Sequence, residues 1–148
     1  MLNFLLKIWA NRVLLSSLTA WFIAQSLKIC LSLYKDKKLD LTRFVGSGGM
    51  PSSHTSFVTA LATSVGKING WDSSSFAIAL CFALVVMYDA AGVRRAAGNQ
   101  AKVLNIIIED ISQHKPLGEE KLKELIGHTP KEVLAGAILG IIISNIMI

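Results

Sequence analysis

Four apolar segments separated by polar stretches divide the chain. Residues 13–34 are apolar except for Gln25 and Lys28, and their 22 residues reach the roughly 20 that a helix needs to cross a bilayer. Residues 55–66 form a shorter apolar run that ends at Lys67-Ile68-Asn69-Gly70, which reads as a short span or a re-entrant segment. Residues 74–93 are a clear span with Asp89 in the last turns, and residues 131–148 close the chain as a further apolar run. Between these two, 94–112 puts Val103, Ile106, Ile107 and Ile111 at helical spacing with charges between them, the pattern of a helix lying on a membrane surface. A turn at His114-Lys115-Pro116-Leu117-Gly118 leads into a short charged helix over 119–126, and residues 2–9 read as an amphipathic lead-in with Trp9 at the headgroup level. The expected fold is all-α: a polytopic membrane helical bundle of about four membrane segments with an interfacial amphipathic helix, in one domain over 1–148.

Composition agrees with this pattern. A chain that is 52% hydrophobic and only 17% charged is too apolar for an ordinary water-soluble domain. The net charge of +5 could suggest nucleic acid, but the basic residues flank apolar runs and are not interleaved with exposed aromatics, so no nucleic-acid partner is expected. Cys30 and Cys81 lie inside apolar segments without metal-ligand spacing, and neither a disulfide, a metal nor a cofactor is expected. The N-terminal stretch has no small-residue cleavage site, so a removed signal peptide is not expected.

The distribution of charge bears on orientation. If 55–66 and 74–93 both cross, the polar stretch 35–54 and the stretch 94–131 emerge on one side. That side carries eleven Lys and Arg residues, from Lys35 to Lys131, against Lys7, Arg12 and Lys67 on the other. The positive-inside rule then puts His54, Arg94, Arg95 and His128 together on the cytoplasmic side of a bacterial plasma membrane or an organelle membrane.

The polar stretch with the most chemistry is Gly46-Ser47-Gly48-Gly49-Met50-Pro51-Ser52-Ser53-His54-Thr55-Ser56. Glycines let backbone N–H groups approach an anion closely, and hydroxyls and an imidazole add donors, which is the chemistry of a phosphate pocket. The same residues also serve any loop followed by a helix N-cap. His54 and His128 each sit at the mouth of an apolar helix, where two imidazoles can divide nucleophile and general-acid roles. Arg43, Arg94 and Arg95 supply the planar, permanently charged donors that suit phosphate oxygens. Helix N-termini after Ser53 and Thr129 add oriented N–H groups.

Pro51-Ser52-Ser53-His54 resembles the P-S-G-H motif of the type 2 phosphatidic acid phosphatase superfamily, which includes bacterial acid phosphatases and vanadium haloperoxidases. Gly49 to His54, with Tyr88-Asp89-Ala90-Ala91-Gly92-Val93-Arg94-Arg95 and Gly127-His128-Thr129-Pro130, is closer still to a divergent branch described as acid phosphatase/vanadium-dependent haloperoxidase-related, over about Asn11 to Gly140. The resemblance implies metal-independent hydrolysis of a phosphoric monoester or diphosphate through a phosphohistidine. On that implication His128 is the nucleophile, Glu132 its orienting carboxylate and His54 the general acid. Ser52, Ser53, Arg43 and Arg94 or Arg95 hold phosphate oxygens. The chain departs from the superfamily pattern at Ser53, where the motif has glycine, and after Arg43, where proline is missing. Asp36 stands where the early lysine belongs, leaving Lys28, Lys35, Lys37 and Lys38 as substitutes. His128 follows Arg95 by 33 positions, against six in the superfamily motif.

Several residues carry two readings. Thr129-Pro130-Lys131-Glu132 is a capping box in which Glu132 reaches back to the N-cap backbone, which competes with orienting His128. Asp89 either pairs with Arg94 or Arg95 or helps to bind a cation. Lys28 either snorkels to the interface or serves in the interior. Gly136, Gly140 and Ser144 recur every fourth residue, a face for close packing within the chain or against a second copy in a homo-oligomer.

Two function classes follow from the sequence, with a third behind them. The first is a membrane phosphatase acting on a phosphorylated lipid met at the bilayer face. The alternative is a catalytically inactive phosphatase-like membrane protein that binds an anionic headgroup as a regulator or assembly factor. A small transporter or channel with Asp89 and Lys28 in its path is the third.

Overall fold

A computed structural model of the chain describes residues 2–37, 49–112 and 127–148. The described residues form six helices: α1 (Leu2–Trp9), α2 (Arg12–Asp36), α3 (Ser53–Asn69), α4 (Ser74–Ala91), α5 (Val93–Ser112) and α6 (Pro130–Met147). Arg43, His114 and the short charged helix expected at 119–126 lie outside the described residues. Local sequence explains where the helices begin. Asn11, Ser52, Ser73 and Thr129 are extended N-caps whose side-chain oxygens accept the backbone N–H three residues on, at Leu14, Thr55, Phe76 and Glu132.

Helices α2, α3, α4 and α6 form a bundle with α3 at its centre, in contact with each of the other three; α3 and α6 run parallel to one another and antiparallel to α2 and α4. The pairing of α3 with α6 runs along both helices. At one end the Ser52 N–H donates to the Glu132 carbonyl at 3.0 Å. At the other, the Ser64 and Ser144 hydroxyls meet at 2.8 Å and Lys67 Nζ donates to Asn145 Oδ1 at 3.2 Å. The segment read as a short span or a re-entrant loop is therefore a 17-residue helix, about 25 Å long, that runs the height of the bundle. Nine of those residues are buried among neighbouring helices, so α3 has little need of an apolar surface. Three other stretches, Arg12–Tyr34, Ser74–Glu109 and Pro130–Met147, are long and apolar enough to cross a membrane.

The interior is made of small residues and the exterior of large apolar ones. Ala20, Ala24, Ala60, Ser16, Ser56, Ser64 and Ser144 are sealed inside, while Phe22, Leu31, Ile78, Val85, Leu134 and Ile138 face outwards. A water-soluble bundle distributes its residues the other way round. Close backbone approach through small residues, with apolar bulk turned to the surroundings, is how helices associate in lipid. The protein is an all-helical integral membrane protein.

The small-residue face of α6 is used within the chain. A Cβ on Gly136 would collide with the Ser52 carbonyl, and one on Gly140 with Thr59 Oγ1 and the Ser56 carbonyl. Gly136, Gly140 and Ser144 are all buried against α3, so this face is not free to meet a second copy.

Helical hydrogen bonding passes through Gly92, from Gly92 N–H to the Tyr88 carbonyl and from Ala96 N–H to the Gly92 carbonyl, so α5 follows α4 after a one-residue break. Among the described helices α5 touches only α4 and turns Val103, Ile106 and Ile107 outwards.

Candidate active site

One end of the bundle gathers Lys28 of α2, the N-termini of α3 and α6, and the last turn of α4. Gly49, with φ of +81°, takes a left-handed conformation open to glycine and lies over the aliphatic stem of Lys28. The chain then passes through Met50 and Pro51 to Ser52, which is held twice. Its N–H is given to Glu132, and its Oγ accepts the Thr55 N–H at 3.4 Å and the Thr55 hydroxyl at 2.9 Å. Ser52 Oγ is thus occupied as a helix cap, and the side chain is fully buried.

Ser53 opens α3, and its Oγ accepts a hydrogen bond from Lys28 Nζ at 3.2 Å. Lys28 is only 4% exposed. Of its two readings, snorkelling to the interface is therefore excluded: the amine turns inward. A buried ammonium in a membrane helix is costly unless it is paired, and the Glu132 carboxylate is close enough to act on it electrostatically. Gln25 and Ser32 are buried on the same face of α2, three residues before and four after Lys28. Ser32 was not among the residues expected from sequence, although a 25/28/32 polar spacing within an apolar span was visible.

His128 is 2% exposed, and two bonds place it. Its backbone N–H donates to the Ala90 carbonyl of α4 at 3.0 Å, and its Nδ1 lies 3.2 Å from Glu132 Oε2. A carboxylate only accepts, so Nδ1 carries the proton, and in the neutral ring Nε2 is the basic nitrogen. Glu132 Oε2 also accepts the Thr129 N–H at 3.0 Å, while Glu132 N–H donates to Thr129 Oγ1 at 3.4 Å. Capping and orientation, treated as competitors in the sequence, are performed by one oxygen. Pro130 at the first helical position and the capping box fix the turn that aims it.

His54 occupies the first turn of α3 on a different face. It is exposed and stands at one end of an apolar groove of about 380 Å³ lined by Leu18, Trp21, Phe57, Val58, Phe82 and Val86. Asp89 is half-buried beside Ala90, Arg95 is exposed, and Arg94 contributes its backbone to the first turn of α5. The Ala90 carbonyl and Thr55, which anchor His128 and Ser52, were missed from the sequence because neither residue type signals chemistry. The gap of 33 positions between Arg95 and His128 is bridged: the His128–Ala90 bond returns the chain to the end of α4.

The polar end thus brings together a buried lysine, two helix N-termini and a histidine whose Nδ1 faces a carboxylate. The fold defines a helical membrane protein whose buried titratable side chains among the described residues, Lys28 and His128, gather at one end of the bundle. The chain belongs to the Divergent PAP2 family, whose model matches residues 9–143. It is 40% identical, over 96% of its own length and 97% of the relative's, to the uncharacterized membrane protein YuiD of Bacillus subtilis (strain 168). No solved structure gives a significant match.

Proposed function

We propose that the protein is a membrane phosphatase that hydrolyses a lipid phosphate or diphosphate through a phosphohistidine. The observation that carries this reading is the His128–Glu132 pair at 3.2 Å, which leaves Nε2 as the basic nitrogen of a water-excluded imidazole. In the first step Nε2 attacks phosphorus, the bond to the lipid oxygen breaks, and His54 gives that oxygen a proton. In the second, water attacks the phosphohistidine, phosphate leaves, and His54 takes up the proton of the water. Lys28, Ser53 and the N–H groups of the α3 N-terminus neutralise the equatorial oxygens. Arg43, Arg94 and Arg95 are assigned to the same anion by their charge and by the family motif. The polar end lies on the cytoplasmic side in this reading, which the excess of Lys and Arg in the stretches beside it supports.

The test is phosphate release from phosphatidate, phosphatidylglycerophosphate and undecaprenyl diphosphate by purified protein in EDTA, for wild type and His128→Ala. Release from at least one lipid that His128→Ala abolishes is the expected result. No release, or release unchanged by the substitution, overturns the proposal. The burial of His128 and the use of Ser52 Oγ as a cap favour a second reading, an inactive member that binds an anionic headgroup. Phosphatidate binding without turnover in the same preparation is its signature.

A further inference from the structure

We infer that the groove between α2, α3 and α4 holds one hydrocarbon chain of the lipid whose phosphate is taken at the polar end. This rests on the phosphatase reading for the identity of the headgroup, and on the groove itself for the chain. Six apolar side chains line it: Leu18 and Trp21 from α2, Phe57 and Val58 from α3, and Phe82 and Val86 from α4. The polar lining residue is His54, one position from Ser53 and its bond to Lys28. The groove is therefore apolar along its length with one polar group at the end nearest Lys28, the same order as chain and headgroup in a lipid phosphate.

Depth and volume fit the same occupant. Leu18 precedes Lys28 by ten helical residues, about 15 Å of rise, so the groove descends from the polar end through about half of a hydrocarbon core roughly 30 Å thick. That is the reach of one leaflet's chains. Its volume of about 380 Å³ lies within the range of small-ligand sites. Leu18 and Phe82 are partly exposed on the outer apolar surface, so the groove opens sideways to the bilayer, where hydrocarbon chains are the surrounding solvent. A soluble phosphate ester has nothing to place in it.

Two measurements test this. In mixed micelles, kcat/KM is compared for long-chain phosphatidate and for its dibutyryl analogue, in wild type, Val86→Trp and Ile138→Trp. Wild type is expected to favour the long chain. Val86→Trp, which fills the groove, lowers that preference about tenfold, while Ile138→Trp on the outer face of α6 leaves it in place. An unchanged preference in Val86→Trp, or an equal fall in both variants, overturns the groove. The second measurement needs no turnover. Protein in phosphatidylcholine nanodiscs is irradiated with phosphatidate carrying a diazirine in mid-chain, and with the matching diacylglycerol. Adducts at Trp21 and Phe82 that exceed those at Ile138, and that are several-fold fewer with diacylglycerol, support the groove even if no ester is hydrolysed. In that case the hydrolysis proposal alone fails. Equal labelling by both probes overturns it, as does absence of adducts with disulfide-linked dimers through Phe82→Cys, which would mean a second copy fills the groove.

Discussion

Glu132 Oε2 lies 3.2 Å from His128 Nδ1 while accepting the N–H of Thr129 at 3.0 Å, so one carboxylate oxygen closes a helix cap and orients an imidazole. Stability and catalysis at this turn then respond differently to different substitutions. Glu132→Gln keeps an acceptor for the cap but removes the charge that supports an imidazolium. Phosphate release is expected to fall about 100-fold, within the range for acid–base groups, with a thermal midpoint close to wild type. Thr129→Ala should show the reverse: about 1 kcal/mol lost from stability and activity retained within a few-fold. Parallel thermal unfolding in detergent and phosphate-release assays check both. Equal loss of activity in the two variants would remove the orienting role.

Lys28 is expected to act on binding more than on folding. Removing one partner of a buried pair destabilises when it strands the other charge, but Glu132 keeps its bonds to Thr129 and His128 after Lys28→Met, whereas a charge-assisted hydrogen bond to phosphate is worth about 1.5–3 kcal/mol. Lys28→Met should therefore raise KM for a lipid phosphate about 10- to 100-fold without lowering the unfolding temperature. Steady-state kinetics on the purified variant give the answer, and an unaltered KM would separate Lys28 from the substrate.

Gly140 touches the backbone of α3, where nothing can yield. Gly140→Ala forces the two helices apart and should cost about 1–3 kcal/mol, the usual penalty of overpacking. Leu134→Ala, at an exposed position of the same helix, should cost less. Thermal unfolding of both variants in one detergent compares them directly. A Gly140→Ala protein as stable as wild type would contradict the close α3–α6 approach.

Orientation is open to a labelling experiment. With Cys30 and Cys81 replaced, Lys37→Cys should resist a membrane-impermeant maleimide in intact cells, whereas Asn69→Cys, at the opposite end of α3, should react. The reverse pattern would place the polar end outside.

Much of this architecture was legible beforehand. Hydrophobic run length located α2, α4 and α6, because a bilayer demands about 20 apolar residues of any helix that faces it. Helix α3 was harder to read because its neighbours shield it from lipid, which frees it to carry Ser56, Thr59 and Ser64 and weakens the hydropathy signal. The small-residue face of α6 was legible as a packing face, but its partner was not, since the pattern in one helix is the same whichever helix it meets. His54, Ser53, His128 and Glu132 were singled out by residue type and motif, and the fold places all four at the start of α3 or α6, at one end of the bundle.

The sequence by itself determined that the chain is a membrane helical bundle with His54 and His128 at the mouths of apolar helices, because segment length, charge distribution and capping residues act locally and can be counted along the chain. Only the tertiary structure decided what these residues touch. Lys28 turns inward to Ser53 rather than outward to the interface, and His128 is returned to the end of α4 across 33 positions from Arg95. Glu132 fills two roles that had looked exclusive. The reason is physical: spacing along a helix specifies the face on which a side chain lies, whereas its partner depends on how closely the neighbouring helices approach, and here glycines and serines at α3–α6 set that distance.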